Sequence, residues 1–156
     1  MIPLISKVVY YDSKYDSAWI RPHVAQAIAF HFRQKGFTVV NANSLEAFIR
    51  GCLSNKTENS IIVFSMDKAP DTILDDNDAS CLMRQYLDEG GRMVWIGDIP
   101  LWHIGKIQFG LAEKEREAAA QYYQTGAYIQ VLGVNPVIRT AASEAIRITR
   151  EGGSLV

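Results

Sequence analysis

Two short stretches of uninterrupted apolar residues, 61–64 (IIVF) and 93–96 (MVWI), constrain the fold of this 156-residue chain more than any other feature. A strand with one face in water alternates apolar and polar residues, whereas a strand covered on both faces does not. Both stretches are far shorter than a membrane span. They read as buried strands of a parallel sheet, with Val63 and Val94 in its central strands. Residues 7–11 (KVVYY) and 37–40 (FTVV) supply two more strands, and a fifth is expected at 128–132.

Between the strands the apolar period changes to that of a helix. Ile20, Val24, Ala27, Ile28 and Phe32 predict a helix over 18–35, with Ser17 as N-cap, Pro22 tolerated in the first turn and Gly36 as the left-handed end. Leu45, Phe48, Ile49 and Cys52 share one face of a second helix over 44–53, capped by Ser44. A third is expected over 78–89, ended by Gly90 and Gly91, and a fourth over 113–123. Residues 140–149 suit helix or strand. The alternation predicts an α/β fold: one domain over 1–156, a three-layer flavodoxin-like sandwich with a mainly parallel five-stranded sheet in order 2-1-3-4-5. The abrupt ending at 151–156 is what a domain excised from a longer protein would show.

Sixteen basic residues against 17 acidic ones leave a formal charge of −1, so nothing draws the whole chain to nucleic acid or a membrane surface. The first residues lack the charged region and long apolar stretch of a signal peptide. Cys52 and Cys81 stand alone without CxxC spacing, as buried thiols in a reducing cytoplasm would.

Ligands of open parallel sheets bind beyond the carboxyl ends of the strands. Here that rim holds Asp12, Asp16, Asp67, Asp71 and Asp98, with Lys14, Lys68, Trp102 and His103. Asn41 and Asn59 are expected at the opposite end. Aspartate in loops also makes turns and caps, which is the ordinary reading of most of these acids. His23 and His31 lie two helical turns apart, too far for one metal on a straight helix. Trp19 and Trp95 read as core, whereas Trp102 suits either the core or a flat ligand wall.

Residues 90–102 (GGRMVWIGDIPLW), preceded by 61–71 (IIVFSMDKAPD), resemble the class I glutamine amidotransferase-like superfamily, including its ThuA-like branch. The resemblance runs over roughly residues 5–135 as a pattern of elements, and its specific part is this short segment. It implies a nucleophile elbow, G-x-C-x-G, straight after the strand, and a histidine from later in the chain. Here Asp98 stands at the elbow position, Pro100 replaces the second glycine, and no histidine follows His103. Cysteine–histidine hydrolysis needs a thiolate with a base in reach, so glutamine amidotransferase activity is not expected. Asp98 is open to two readings: a cap of the following turn, or a nucleophile or metal ligand.

No glycine-rich phosphate loop follows the first strand. Asp12 and Asp67 loosely resemble the acidic pocket of response-regulator receivers, but residues 131–136 lack the lysine those domains use. Residues 8–40 have a TIR-like cadence. The expected function is a non-catalytic amidotransferase-like domain binding a small molecule, another domain or a subunit, with homo-oligomerisation open. The rim residues Asp12, Asp67, Asp98, Trp102 and His103 are its ligand-binding candidates, with no metal, no cofactor, no nucleic acid and no membrane. The alternatives are a hydrolase or transferase using Asp98, Asp67 and His103, or a receiver- or TIR-like signalling module.

Overall fold

The computed structural model of the chain describes residues 6–15, 19–55, 59–74, 80–97, 99–106, 121–124 and 131–132. Its main sheet contains β1 (Ser6–Tyr10), β2 (Thr38–Val40), β3 (Ser60–Phe64) and β5 (Arg92–Trp95), all parallel, in the order β2-β1-β3-β5. This is the expected arrangement for the first four strands. Register aligns Tyr10, Phe64 and Trp95 in one row at the carboxyl ends. The preceding row is Val9, Val63 and Val94, pointing to the other face.

Helices cover both faces. Val8, Tyr10, Ile62 and Phe64 form one core with residues of α2 (Ala42–Asn55) and α3 (Leu82–Asp88). Val9 and Val63 pack with Ala29 of α1 (Pro22–Gln34) on the other face. Val94 is 39% exposed, on the edge strand of the described sheet rather than in its centre.

Helix α1 begins at Pro22, four residues later than its apolar period suggested. The Asp67 carboxylate takes the main-chain N–H groups of Trp19 and Ile20 and holds them outside the helix. Proline then starts it, with its fixed φ and no N–H to leave unpaired. The other end is as expected: Gly36 sits at φ 81°, and the Phe37 N–H donates to Phe32 O at 3.1 Å. Helix α2 is capped by Asn41 rather than Ser44, because Asn41 Oδ1 accepts the Ser44 N–H at 2.9 Å.

A second, small sheet sits beyond the first. It is formed by β4 (Ala69–Pro70), β6 (His103–Lys106) and β7 (Gln121–Gln124), in the order β4-β6-β7. Strands β4 and β6 run parallel, and β6 and β7 antiparallel. Three expectations change here. Residues 121–123 are strand, not the end of a helix: the paired tyrosines suit a ladder, and β6 supplies the partner. Residues 65–70, expected in a polar loop, are all buried. Val131 and Leu132 are helical rather than strand, and the Val131 carbonyl accepts a 3.2 Å bond from Arg84 of α3. Residues 113–120, 125–130 and 140–149, on which further elements were expected, lie outside the described residues. Among the described residues no helix is long and apolar enough to cross a membrane.

Candidate functional site

Three chain segments leave the carboxyl ends of the main sheet together. Asp12 follows β1 and is buried. Its Oδ1 accepts the Lys14 N–H at 3.0 Å and its Oδ2 accepts the Ala42 N–H at 3.1 Å. The first of these bonds is a local turn; the second sets a carboxylate on the N-terminus of α2, where the helix dipole favours negative charge. The same contact places Asn41 at this end, not the opposite one, since β2 runs parallel to β1. Asn59 does lie at the far end, where its carbonyl accepts the Ser6 N–H at 3.1 Å.

Asp67 follows β3, is buried, and bonds the main chain entering α1, with the Ile20 N–H at 2.9 Å from Oδ2. Gly97 opens the turn after β5 at φ 139° and packs against it. A Cβ at Gly97 would lie 3.1 Å from both Asp67 Cβ and Ile20 Cδ1. The turn closes at Leu101, which is fully buried at φ 61°. A branched residue pays for that left-handed conformation, and burial in the core holds it there.

The small sheet brings a second set of polar groups to the same end. The Ala69–Ile104 register brings Lys68, the residue before β4, and His103, the first of β6, to the same end of the small sheet. Lys68 is fully buried and His103 nearly so. Trp102 stacks on His103, with ring centroids 5.5 Å apart and planes 20° apart. Tyr15 packs its ring on Gly105, and its hydroxyl donates to Asp71 Oδ1 at 3.0 Å. Burial, followed by the charge of Asp71, pushes the Tyr15 phenol well above its ordinary range.

Tyr10 stands beneath this group, fully buried and edge-on to Phe64 at 5.6 Å. Its hydroxyl has no hydrogen-bond partner among the described residues, nor has Trp95 Nε1 at the other end of the same row. Burial raises the Tyr10 pKa most, and Tyr15, Asp12 and Asp71 add to it. The site is therefore buried, with phenols kept neutral and carboxylates held by N–H and O–H donors, beside the buried Lys68 and His103. Among the described residues no three His, Cys, Asp or Glu side chains are grouped to hold a metal ion.

Of the rim candidates, Asp12, Asp67, Trp102 and His103 lie at this end, while Asp98 is outside the described residues. Asp12 and Asp67 bind main-chain groups of two different elements, α2 and the entry to α1. His103 is a buried strand residue and Trp102 half-buried. Sequence reasoning missed Tyr10, whose ring read as part of a buried strand, and Tyr15, which fell within the expected rim at 12–16 without being singled out. It also took Lys68 for a loop lysine, and the apolar Ala69-Pro70 after it was the one sign of burial. Trp19, expected in the core, is 69% exposed.

The profile of the MJECL34 family matches residues 6–152. A protein of Methanocaldococcus jannaschii described as "Uncharacterized protein MJECL34" is 34% identical over 95 residues, which cover 59% of this chain and 32% of that relative. The matched stretch thus spans about a third of the relative's length. No solved structure matches the chain at a significant level. The family profile runs through nearly the whole sequence, and the chain belongs to the MJECL34 family.

Proposed function

We propose that this chain is a catalytically silent amidotransferase-like domain with a five-stranded flavodoxin-like sandwich, which binds an uncharged or cationic small molecule at the carboxyl ends of its main sheet. The observation that carries the reading is the state of Asp12 and Asp67. Both carboxylates are buried and take main-chain N–H donors, Asp12 through both oxygens and Asp67 through Oδ2. Carboxylates bonded in this way act as pins rather than as mobile acids or bases. Asp12 also occupies the N-terminus of α2, the position a ligand phosphate would take. The buried thiols of Cys52 and Cys81 suit a reducing compartment, and we place the domain in the cytoplasm.

Two measurements test this. The chain should release no ammonia from glutamine, and release abolished by alkylating Cys52 or Cys81 would overturn the silent assignment. Titration with sugars, nucleosides and divalent ions should shift amides at 12–15, 66–68 and 97–103. Shifts clustered around Asn59 would overturn the placement. The hydrolase or transferase alternative, built on Asp67, Asp98 and His103, draws support from the burial of Asp67 and His103 at one end. It requires a turnover that His103→Ala removes, and the silent reading requires none.

A further inference from the structure

No acidic residue occurs between Asp16 and Glu46, a stretch that carries Arg21, Arg33 and Lys35 together with His23 and His31. In a chain whose charges nearly balance, this gathers basic groups around one element, α1. Its inward side is Ala25 and Ala29, buried, with Ile28 and Phe32 half-buried. Its outward side carries His23, Val24, Ala27, Phe30 and His31 at helical spacings of three and four, every one of them exposed. Phe30 is 57% and Val24 40% exposed.

Trp19 stands exposed at the entry to the helix, yet its main-chain N–H is fixed by the buried Asp67. The backbone that carries this large exposed ring is therefore anchored to the body of the fold. Arg21, Arg33 and Lys35 are exposed around it, and Arg21 and Arg33 make no ion pair among the described residues. Exposed aromatic rings interspersed with arginine are the composition of a contact surface, where rings anchor and charges select.

We propose that the outward side of α1, with Trp19 at its entry, docks an acidic protein segment carrying apolar anchors. The missing acids remove repulsion of such a segment, and the flanking cations attract it. A membrane surface fits less well: the continuous apolar side of α1 is turned to the sheet, and insertion requires a broad apolar face directed outward.

The test is selection of peptides from a random display library against the full chain. Enriched peptides should carry Asp and Glu around aromatic or aliphatic residues, shift amides over 19–34, and bind more weakly as salt rises. Trp19→Ala with Phe30→Ala should weaken them about tenfold or more, and Arg21→Glu with Arg33→Glu should do the same. Thermal unfolding should stay unchanged in both pairs, since all four side chains are exposed. Peptides without acidic bias, a footprint away from α1, or no enrichment would overturn the proposal. So would tighter binding of phosphatidylserine vesicles or duplex DNA than of any selected peptide.

Discussion

The buried phenol of Tyr10 gives the most direct test of the site at the scale of one residue. Its ring fills the core against Phe64, but its hydroxyl was taken out of water and has no partner among the described residues. An unpaired buried hydroxyl costs roughly 1–3 kcal/mol, while its removal leaves the packing of the ring unchanged. Tyr10→Phe should therefore raise stability by about 1 kcal/mol in urea unfolding at neutral pH. The alkaline side follows from the same burial. In the unfolded chain the phenols ionise near pH 10, whereas Tyr10 and Tyr15 in the fold stay protonated to higher pH. The unfolded state then loses protons first, so stability is fully present below about pH 10 and falls as pH rises beyond it. Urea midpoints between about pH 8 and 11 should show this fall, and Tyr10→Phe should reduce its slope. An unchanged slope would mean that the Tyr10 hydroxyl reaches water.

At the scale of elements, β3 and β5 look alike in sequence and differ in the fold. Val63 and Val94 are register partners, yet Val63 is fully buried and Val94 is 39% exposed. A charge at Val63 has no water to reach and should cost roughly 3 kcal/mol or more, whereas Val94→Asp should cost under about 1 kcal/mol. Equal losses in thermal or urea unfolding would show that β5 is covered on both faces. The contrast also explains what could be read in advance. Continuous apolar runs and glycine ends are local signals, so β1 to β3, β5 and the stop of α1 at Gly36 were legible. The start of α1 was not, because it is set by Asp67, which lies 47 residues beyond Ile20. The small sheet was missed for the same reason. β4 is two residues long and β7 gains its state from β6, so neither has a period of its own. At the site, the acids at the strand ends were legible from topology. The use of Asp12 and Asp67 as pins depends on partners brought close only by folding.

For the whole molecule, the question is whether the two sheets stand or fall together. Ala69, Leu101 and Ile104 of the small sheet and its approach belong to the same buried cluster as Tyr10, Ile62 and Phe64 of the main one. Tyr15 joins them: its ring lies on Gly105, and its hydroxyl is tied to Asp71, whose N–H in turn donates to Gly105 O at 2.9 Å. Glycine is required at 105 because an added Cβ would sit 2.3 Å from the Tyr15 ring, closer than any real contact. The ring has little freedom to retreat, held by Asp71 on one side and the core on the other. Gly105→Ala should therefore lower global stability by about 1–3 kcal/mol through overpacking. Because this cluster takes residues from both sheets, the loss should be shared. Far-ultraviolet and aromatic circular dichroism should report the same lowered midpoint, and amide exchange should quicken at Ile104 in β6 and at Val63 in β3 alike. If exchange quickens at Ile104 alone while Val63 keeps its protection, the small sheet opens independently, and the polar end it covers is exposed without unfolding the rest.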